Sequence, residues 1–210
     1  MKKTVLSVSP PKRHLNQVTF SDGTVLELDS DYLLTASIFE GEQMDDIEIE
    51  NHRAASDFVR ARSRALWYLS RSDHSEKALL DKLNRAGFKK ETAQRAVCRL
   101  KESGLLNDEA LAHRLAENYL NENRSKRECE QKLILKGIPR DLARAVLSDT
   151  ETDERAQIQA LIEKKYKNKV GDEENLRRTV AALMRKGFKF SDIKAVLKNY
   201  SDALYECEEM

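Results

Sequence analysis

Apolar residues recur along most of this chain at three- and four-residue spacing, the period of helices that bury one face. One stretch returns three times. Leu83, Gly87 and Phe88 are matched by Leu133, Gly137 and Ile138, and again by Leu183, Gly187 and Phe188, with successive glycines 50 residues apart. In each copy the apolar residue four before the glycine belongs to a helix, and the one just after it can fold back on that helix. Each glycine is therefore read as the residue beyond a helix end, with positive φ. A period of this size is the mark of stacked small helical units.

The N-terminal part has a different pattern. Met1–Arg13 reads as a loose leader. Gln17–Phe20 and Thr24–Leu28 are alternating or β-branched and flank Ser21–Asp22–Gly23, which predicts a hairpin. Asp29 to Asp31 can cap a short helix carrying Leu33, Leu34 and Ile38, closed by Gly41. Asp45 or Asp46 can cap a longer helix, with a break near His52, that runs to about Ser70 and turns Phe58, Arg62, Leu66 and Leu69 to one side.

The repeats then follow. In the first, Ser75 caps a helix with Ala78, Leu79 and Leu83 inward, and a second helix buries Ala93, Ala96, Val97 and Leu100. Gly104 stops that helix, Leu105–Leu106 packs inward, and Asn107 or Asp108 caps the next. In the second, Leu111, Leu115 and Tyr119 form a stripe, Ser125 caps the helix of Cys129 and Leu133, and Pro139 opens one that buries Leu142, Ala145 and Val146. In the third, a helix from about Asp153 to Tyr166 is followed by a loop at Lys167–Asp172. Asn175 takes the capping place of Ser75 and Ser125; Val180, Leu183 and Met184 face inward, and Phe190, Ile193, Val196, Leu197 and Tyr200 line the last helix. The predicted fold class is mainly α. Tandem three-helix repeats share apolar faces in an elongated curved rod, preceded by a small β-hairpin and helix. The expected divisions are 1–55 for the extension, 56–106, 107–150 and 151–200 for the repeats, and 201–210 for a frayed acidic tail.

Composition fits an exposed helical protein: of 210 residues, 40% are hydrophobic and 35% charged. The net charge of +1 hides an uneven distribution. Residues 1–62 carry 7 basic and 11 acidic side chains, whereas 111–200 carry 20 and 14. Cys98, Cys129 and Cys207 suggest neither disulfide framework nor zinc site; the first two read as small core residues. The start of the chain does not read as a signal peptide, no apolar run reaches membrane-spanning length, and a cytoplasmic, reducing setting is expected.

Catalytic patterns are missing. His14, His52, His74 and His113 form no metal-ligand spacing, and there is no phosphate-binding glycine loop. No enzymatic activity, metal or cofactor is expected. What remains is surface charge. Lys126, Arg127, Lys132 and Lys136 lie on or near one helix of the second repeat; Arg177, Arg178, Arg185 and Lys186 do so in the third; Arg85, Lys89 and Lys90 fringe the first. Periodic placement could align them toward a polyanion or an acidic protein groove. The same residues could simply favour helix C-termini and solubilise an outer face. Aromatic residues that could stack on bases are sparse.

These positions resemble the RecX family of bacterial recombination regulators. Tyr68–Leu69, Ser75, Leu79, Leu83, Gly87–Phe88 and Val97 are similar to its first module. Leu100 and Gly104–Leu105–Leu106–Asn107–Asp108 resemble its G-[LI]-[LI]-[ND]-D element. Leu111–Ala112 stands where the family usually has phenylalanine–alanine. Arg124–Ser125, Leu133, Lys136–Gly137–Ile138 and Leu142 resemble the second module. The likeness is best from Trp67 to Leu147. It implies a non-enzymatic monomer that binds the RecA recombinase filament, with DNA contacted directly or within it, and modulates ATP hydrolysis and strand exchange, most often by inhibition. Two other readings fit the residues: direct nucleic-acid binding without a recombinase, and a structural adaptor for another helical protein.

Overall fold

The computed structural model describes residues 2–12, 14–166 and 173–208. The expected loop at Lys167–Asp172 lies outside them. The chain is mainly α and divides into two compact units, Met1–Asn107 and Asp108–Met210.

The first unit opens on an antiparallel sheet of four strands, β1 (Lys3–Val8), β2 (Leu15–Phe20), β3 (Val25–Asp29) and β4 (Gln43–Met44), in the order β3-β2-β1-β4. The loose leader expected at the N-terminus is thus largely a strand. Val5 is buried and β1 pairs with β2 across a bulge between Val5 and Ser7. The hairpin closes as expected, on Gly23 at positive φ with Asp22 accepting from the Thr24 amide. In its second strand Leu26 is buried and Val25 exposed.

Helix α1 (Ser30–Ala36) is capped by Asp29 and ends at Ser37 in the left-handed conformation, ahead of Gly41, which is also at positive φ. Leu34 is 85% exposed, so it is not part of the buried face. Helix α2 (Asp46–Leu69) runs unbroken through His52, opened by a capping box between Asp45 and Glu48. This box satisfies two amides that a helix start otherwise leaves unpaired. The buried line of α2 runs through Ile49, Ser56, Ala61 and Ala65, while Arg62 is exposed. Small residues there let the helix lie close to its neighbours. The buried Ser56 hydroxyl accepts from the Asp29 amide at 2.7 Å, tying α2 to the end of β3. One helix therefore carries the sheet at one end and the first repeat at the other.

That repeat adds α3 (Glu76–Arg85) and α4 (Lys90–Glu102). The second comprises α5 (Asp108–Asn121), α6 (Lys126–Leu135) and α7 (Arg140–Asp149). The third comprises α8 (Glu154–Leu161), continued by a π-helical turn at Ile162–Tyr166, then α9 (Glu173–Arg185) and α10 (Phe190–Glu208). Helix α10 continues past Tyr200 into the segment expected to fray. Ser75 and Ser125 cap α3 and α6 through the amides of Ala78 and Glu128. Asn175 does not take that role, because α9 has already begun at Glu173.

The three glycine corners are superposable in their hydrogen bonds. Phe88, Ile138 and Phe188 donate to Leu83, Leu133 and Leu183 at 3.3, 3.0 and 3.3 Å, and the glycines donate to Asn84, Ile134 and Met184. With φ of 91°, 90° and 91° at Gly87, Gly137 and Gly187, these are Schellman caps. Leu83, Leu133 and Leu183 have no exposed surface.

Each repeat has its own buried cluster, and among the described residues those of the second and third repeats are separate. Within the second unit the joint between its two repeats is polar. The Ser125 hydroxyl caps α6 and also donates to the Lys186 carbonyl at 2.6 Å. The Lys126 amide donates to Glu154, and the Gln157 amide group to the Leu120 carbonyl. Several inward assignments also change. Leu105, Ala145, Met184 and Phe190 are exposed, whereas Leu106 and Ala143 are buried. Cys98 lies on the solvent side of α4 beside Glu102; Cys129 is in the core, where burial pushes its thiol up to about 12.

Three outcomes follow for stability. Leu83→Ala, Leu133→Ala and Leu183→Ala should each cost about 2–5 kcal/mol in denaturant titrations. Gly87→Ala should lose about 1–2 kcal/mol from its left-handed backbone alone. Gly187→Ala should lose more, because an added Cβ would stand 2.8 Å from Ser125 Oγ and 2.9 Å from Arg127 Cβ, while Gly87 has open space. Finally, Lys3 Nζ holds Asp22 at 2.8 Å and Asp46 at 2.7 Å, and its hydrogen bonds press both carboxyls below their usual range. Depressed carboxyls stabilise the fold above the ordinary carboxylate range and lose that contribution as pH falls through their folded values. The stability gap between the wild type and Lys3→Met should therefore be widest near neutrality and shrink below about pH 4, as read from urea midpoints.

Candidate partner-binding surfaces

The basic positions singled out by periodicity fall into unlike settings. In the first repeat, Arg85 sits in the last turn of α3, where a cation favours the helix end, and Lys89 and Lys90 open α4. All three are exposed, and Lys89 pairs loosely with Glu50 of α2 at 3.7 Å.

In the second repeat the four residues do not share one face. Lys126 is consumed by the joint: its ammonium donates to the Thr150 carbonyl at 2.7 Å. Lys132 lies over the Tyr119 ring at 5.6 Å. Arg124 also lies over that ring, at 5.9 Å, and is held by Glu122 and Glu128, whose hydrogen bonds raise its guanidinium pKa further. Arg127 and Lys136 are exposed but nine residues apart, about two and a half turns, and so lie on opposite sides of α6.

Helix α9 is more coherent. Arg178 and Arg185 are seven residues apart, about two turns, and both are exposed; Arg177 is exposed as well. Arg178 forms an i,i+4 pair with Glu174, both partners well exposed, a contact that costs little to break. Lys186 is half-buried and contributes its carbonyl to the joint with Ser125.

Lys126 and Arg127 do meet residues of the third repeat, in a cleft of about 670 Å³ beside Gly187, Phe188 and Lys189. Its charges are mixed. Arg155 pairs with Asp192 at 3.0 Å and Glu154 accepts the Lys126 amide, so the cleft is a braced joint with little net field. Among the described residues no three His, Cys, Asp or Glu side chains gather in a way that could hold a metal ion. No helix among them is long and apolar enough to cross a membrane.

The densest arrangement of cations and aromatic rings lies elsewhere, at the C-terminal end of α2. Arg64, Trp67, Tyr68 and Arg71 follow one another at helical spacing. The Arg71 guanidinium lies 4.2 Å from the centre of the Trp67 ring and that of Arg64 lies 5.4 Å away. Lys82 of α3 stands 4.9 Å from the Tyr68 ring. Trp67 remains 44% exposed. Their i, i+3, i+4, i+7 spacing is visible in the sequence.

The architecture is shared with known proteins. A family model described as the RecX first three-helix domain matches residues 61–100, and one described as the RecX third three-helix domain matches residues 152–197. The third repeat, where the motifs were least specific, is thus recognised as clearly as the first. The regulatory protein RecX of Clostridium perfringens (strain SM101 / Type A) is 27% identical over 208 residues, covering 96% of this chain and 98% of its own length. That of Trichlorobacter lovleyi is 33% identical over 140 residues, covering 64% of this chain and 91% of its own. Among solved structures, a regulatory protein RecX aligns with a TM-score of 0.69 at 19% identity over 92% of this chain and 98% of its own. RecX from Lactobacillus salivarius aligns with a TM-score of 0.62 at 22% identity over 69% and 97%. With the three helical corners, the capping serines and these matches in agreement, the chain belongs to the RecX family of bacterial regulatory proteins.

Proposed function

We propose that this chain regulates a RecA-type recombinase by binding along its filament and hindering ATP hydrolysis and strand exchange. The observation that carries this reading is the recurrence of one corner at a fixed interval, with Leu83, Leu133 and Leu183 in identical cap geometry. A chain that repeats one structural unit presents related surfaces to a partner that itself repeats. Contacts that are weak singly become tight once they are linked. Membership of a family whose relatives are named regulatory proteins supports a role carried by binding, with no chemistry of the chain's own.

The exposed pair Arg178 and Arg185 on α9 is the strongest of the basic positions for such a contact, since both are on one face and neither braces the fold. Arg127 and Lys136 on α6, and Arg85, Lys89 and Lys90 in the first repeat, would add smaller electrostatic contributions. Lys126 and Lys132 are placed to hold the fold, and in this reading contribute little to the partner contact.

Purified protein should lower the ATP hydrolysis rate of a RecA-type recombinase assembled on single-stranded DNA. The double variant Arg178→Glu, Arg185→Glu, with an unchanged circular dichroism spectrum, should need about tenfold more protein for the same effect. Full inhibition by that variant would remove the α9 face from the contact. No effect of the wild type on hydrolysis or strand exchange at saturation would overturn the regulatory reading itself.

A further inference from the structure

The end of α2 carries chemistry that the recombinase reading does not use. Trp67 is the only tryptophan of the chain and is half exposed, although the small-residue line of α2 shows that this helix buries its other side efficiently. Three cations surround the Trp67–Tyr68 pair: Arg64, Arg71 and Lys82. Among the described residues none of them is held by a carboxylate at ion-pair distance. Several arginines elsewhere on the surface are paired. Arg53, Arg60, Arg99, Arg124, Arg144, Arg155 and Arg178 all have acidic partners. At the end of α2 the positive charge is left uncompensated and is laid against aromatic rings instead.

We infer that Arg64, Trp67, Tyr68, Arg71 and Lys82 form a binding site for single-stranded nucleic acid, with a base stacked on the indole and guanidinium planes and flanking phosphates on the cations. The pairing of two ligand properties argues for this class. Planar π-surfaces accept any base face, and Arg planes stack as aromatic rings do. The cations stand 4.2 to 5.4 Å from the ring centres, close enough to reach the phosphates on either side of a stacked base. An acidic peptide would use the charges but leave the exposed indole without a partner. A duplex would present phosphates but keep its bases stacked on one another, out of reach of Trp67.

The surroundings give the strand a direction. Beside Arg64 and Trp67 lies a cleft of about 370 Å³ that Arg60, Ser63 and Phe88 also line, together with Asp29 and Asp31 from the start of α1. Asp29 is occupied in capping α1, yet both carboxylates repel phosphate. The track therefore leads from the indole toward Arg71 and Lys82, away from α1. All of these residues lie in the first compact unit, so the site is complete without the second.

The test uses the full chain and needs no recombinase, so its failure leaves the regulatory reading standing and the converse also holds. Trp67 reports directly, as every change in tryptophan emission comes from it. Titration with a thymidine oligonucleotide of about twenty nucleotides, long enough for at least one site of ordinary size, should quench that emission. A duplex of the same length and polyglutamate should each quench far less. Trp67→Leu should weaken strand binding, followed by a labelled oligonucleotide, about tenfold or more, and Trp67→Phe should restore most of it. Arg71→Gln and Lys82→Gln, which alter surface charge without disturbing the buried line of α2, should each reduce the slope of log affinity against log salt by about one. Strand binding that leaves tryptophan emission unchanged would overturn the proposal, as would wild-type affinity in Trp67→Leu or unchanged salt slopes in both charge variants. Equal quenching by polyglutamate would reassign the patch to an acidic protein.

Discussion

The fold rests on a backbone constraint at helix ends. A helix leaves its last carbonyls without intrahelical donors, and a chain made mostly of short helices meets that problem many times. Here the answer is the same at Gly87, Gly137 and Gly187. The residue beyond the helix turns left-handed, its amide and the next return to the open carbonyls, and the following side chain packs back over the buried leucine. Gly104 repeats the arrangement, with Leu105 donating to Leu100. So does Asn123, where Arg124 donates to Tyr119. Asparagine tolerates the left-handed region better than most residues, which explains how α5 ends without a glycine. The same corner thus does more than terminate helices. It fixes the angle at which the next helix leaves, and so decides which side chains each repeat buries.

That constraint also sets how repeats join. With its apolar residues turned inward by its own corner, each repeat fills its own small core. In the second unit what is left for the joint is polar: a serine hydroxyl on a carbonyl, a lysine amide on a glutamate, a glutamine on the end of α5. Hydrogen bonds of this kind contribute modestly in net terms, but each requires one geometry, so they specify an orientation more than they add stability. Ser125 shows the economy of it. One buried hydroxyl serves the N-terminus of α6 and the C-terminus of α9 together, and Gly187 must lack a side chain for the two to approach. Two residues that the sequence marks as local helix signals are therefore also long-range contacts.

Much of the helical part was legible because its signals are local. Capping serines, terminal glycines and 3.6-residue periodicity each report a backbone requirement within a few residues, and Leu79, Leu83, Ala93, Val97, Cys129, Leu133, Ile158 and Ile193 are buried as that periodicity implies. The sheet was half legible. The Asp22–Gly23 turn carries its own signature, but β1 is recognised only through pairing with β2, and no residue within β1 announces that partner. Position within a helical stripe was less certain where small residues do the burying. Ala61, Ala65 and Ala143 are in the core while the larger Arg62 stem, Leu34 and Met184 are outside, because close helix approach favours the smaller side chain whatever its hydrophobicity. The candidate site was least legible of all. Periodicity reports which positions recur; it is silent on whether a given lysine is free or, like Lys126, already spent on a carbonyl.

This distinction bears on where the chain meets its partners. Positions that recur in every repeat are selected first by the fold, since the corner needs them, and cations near helix ends answer the helix field before they answer any ligand. Features that occur once are not explained by the repeat. The second repeat keeps a related contact, with Lys132 and Arg124 over Tyr119, but there Arg124 is paired with Glu122 and Glu128 and the exposed indole of Trp67 is not repeated. The regular part of the chain is best understood as spacing, which suits it to a repetitive protein partner. The exception at Trp67 is where the second ligand proposed above, of different chemistry, would bind. A regulator that carries both would read a polymer through its repeats and a bare strand through one patch, and the two contacts need not depend on each other.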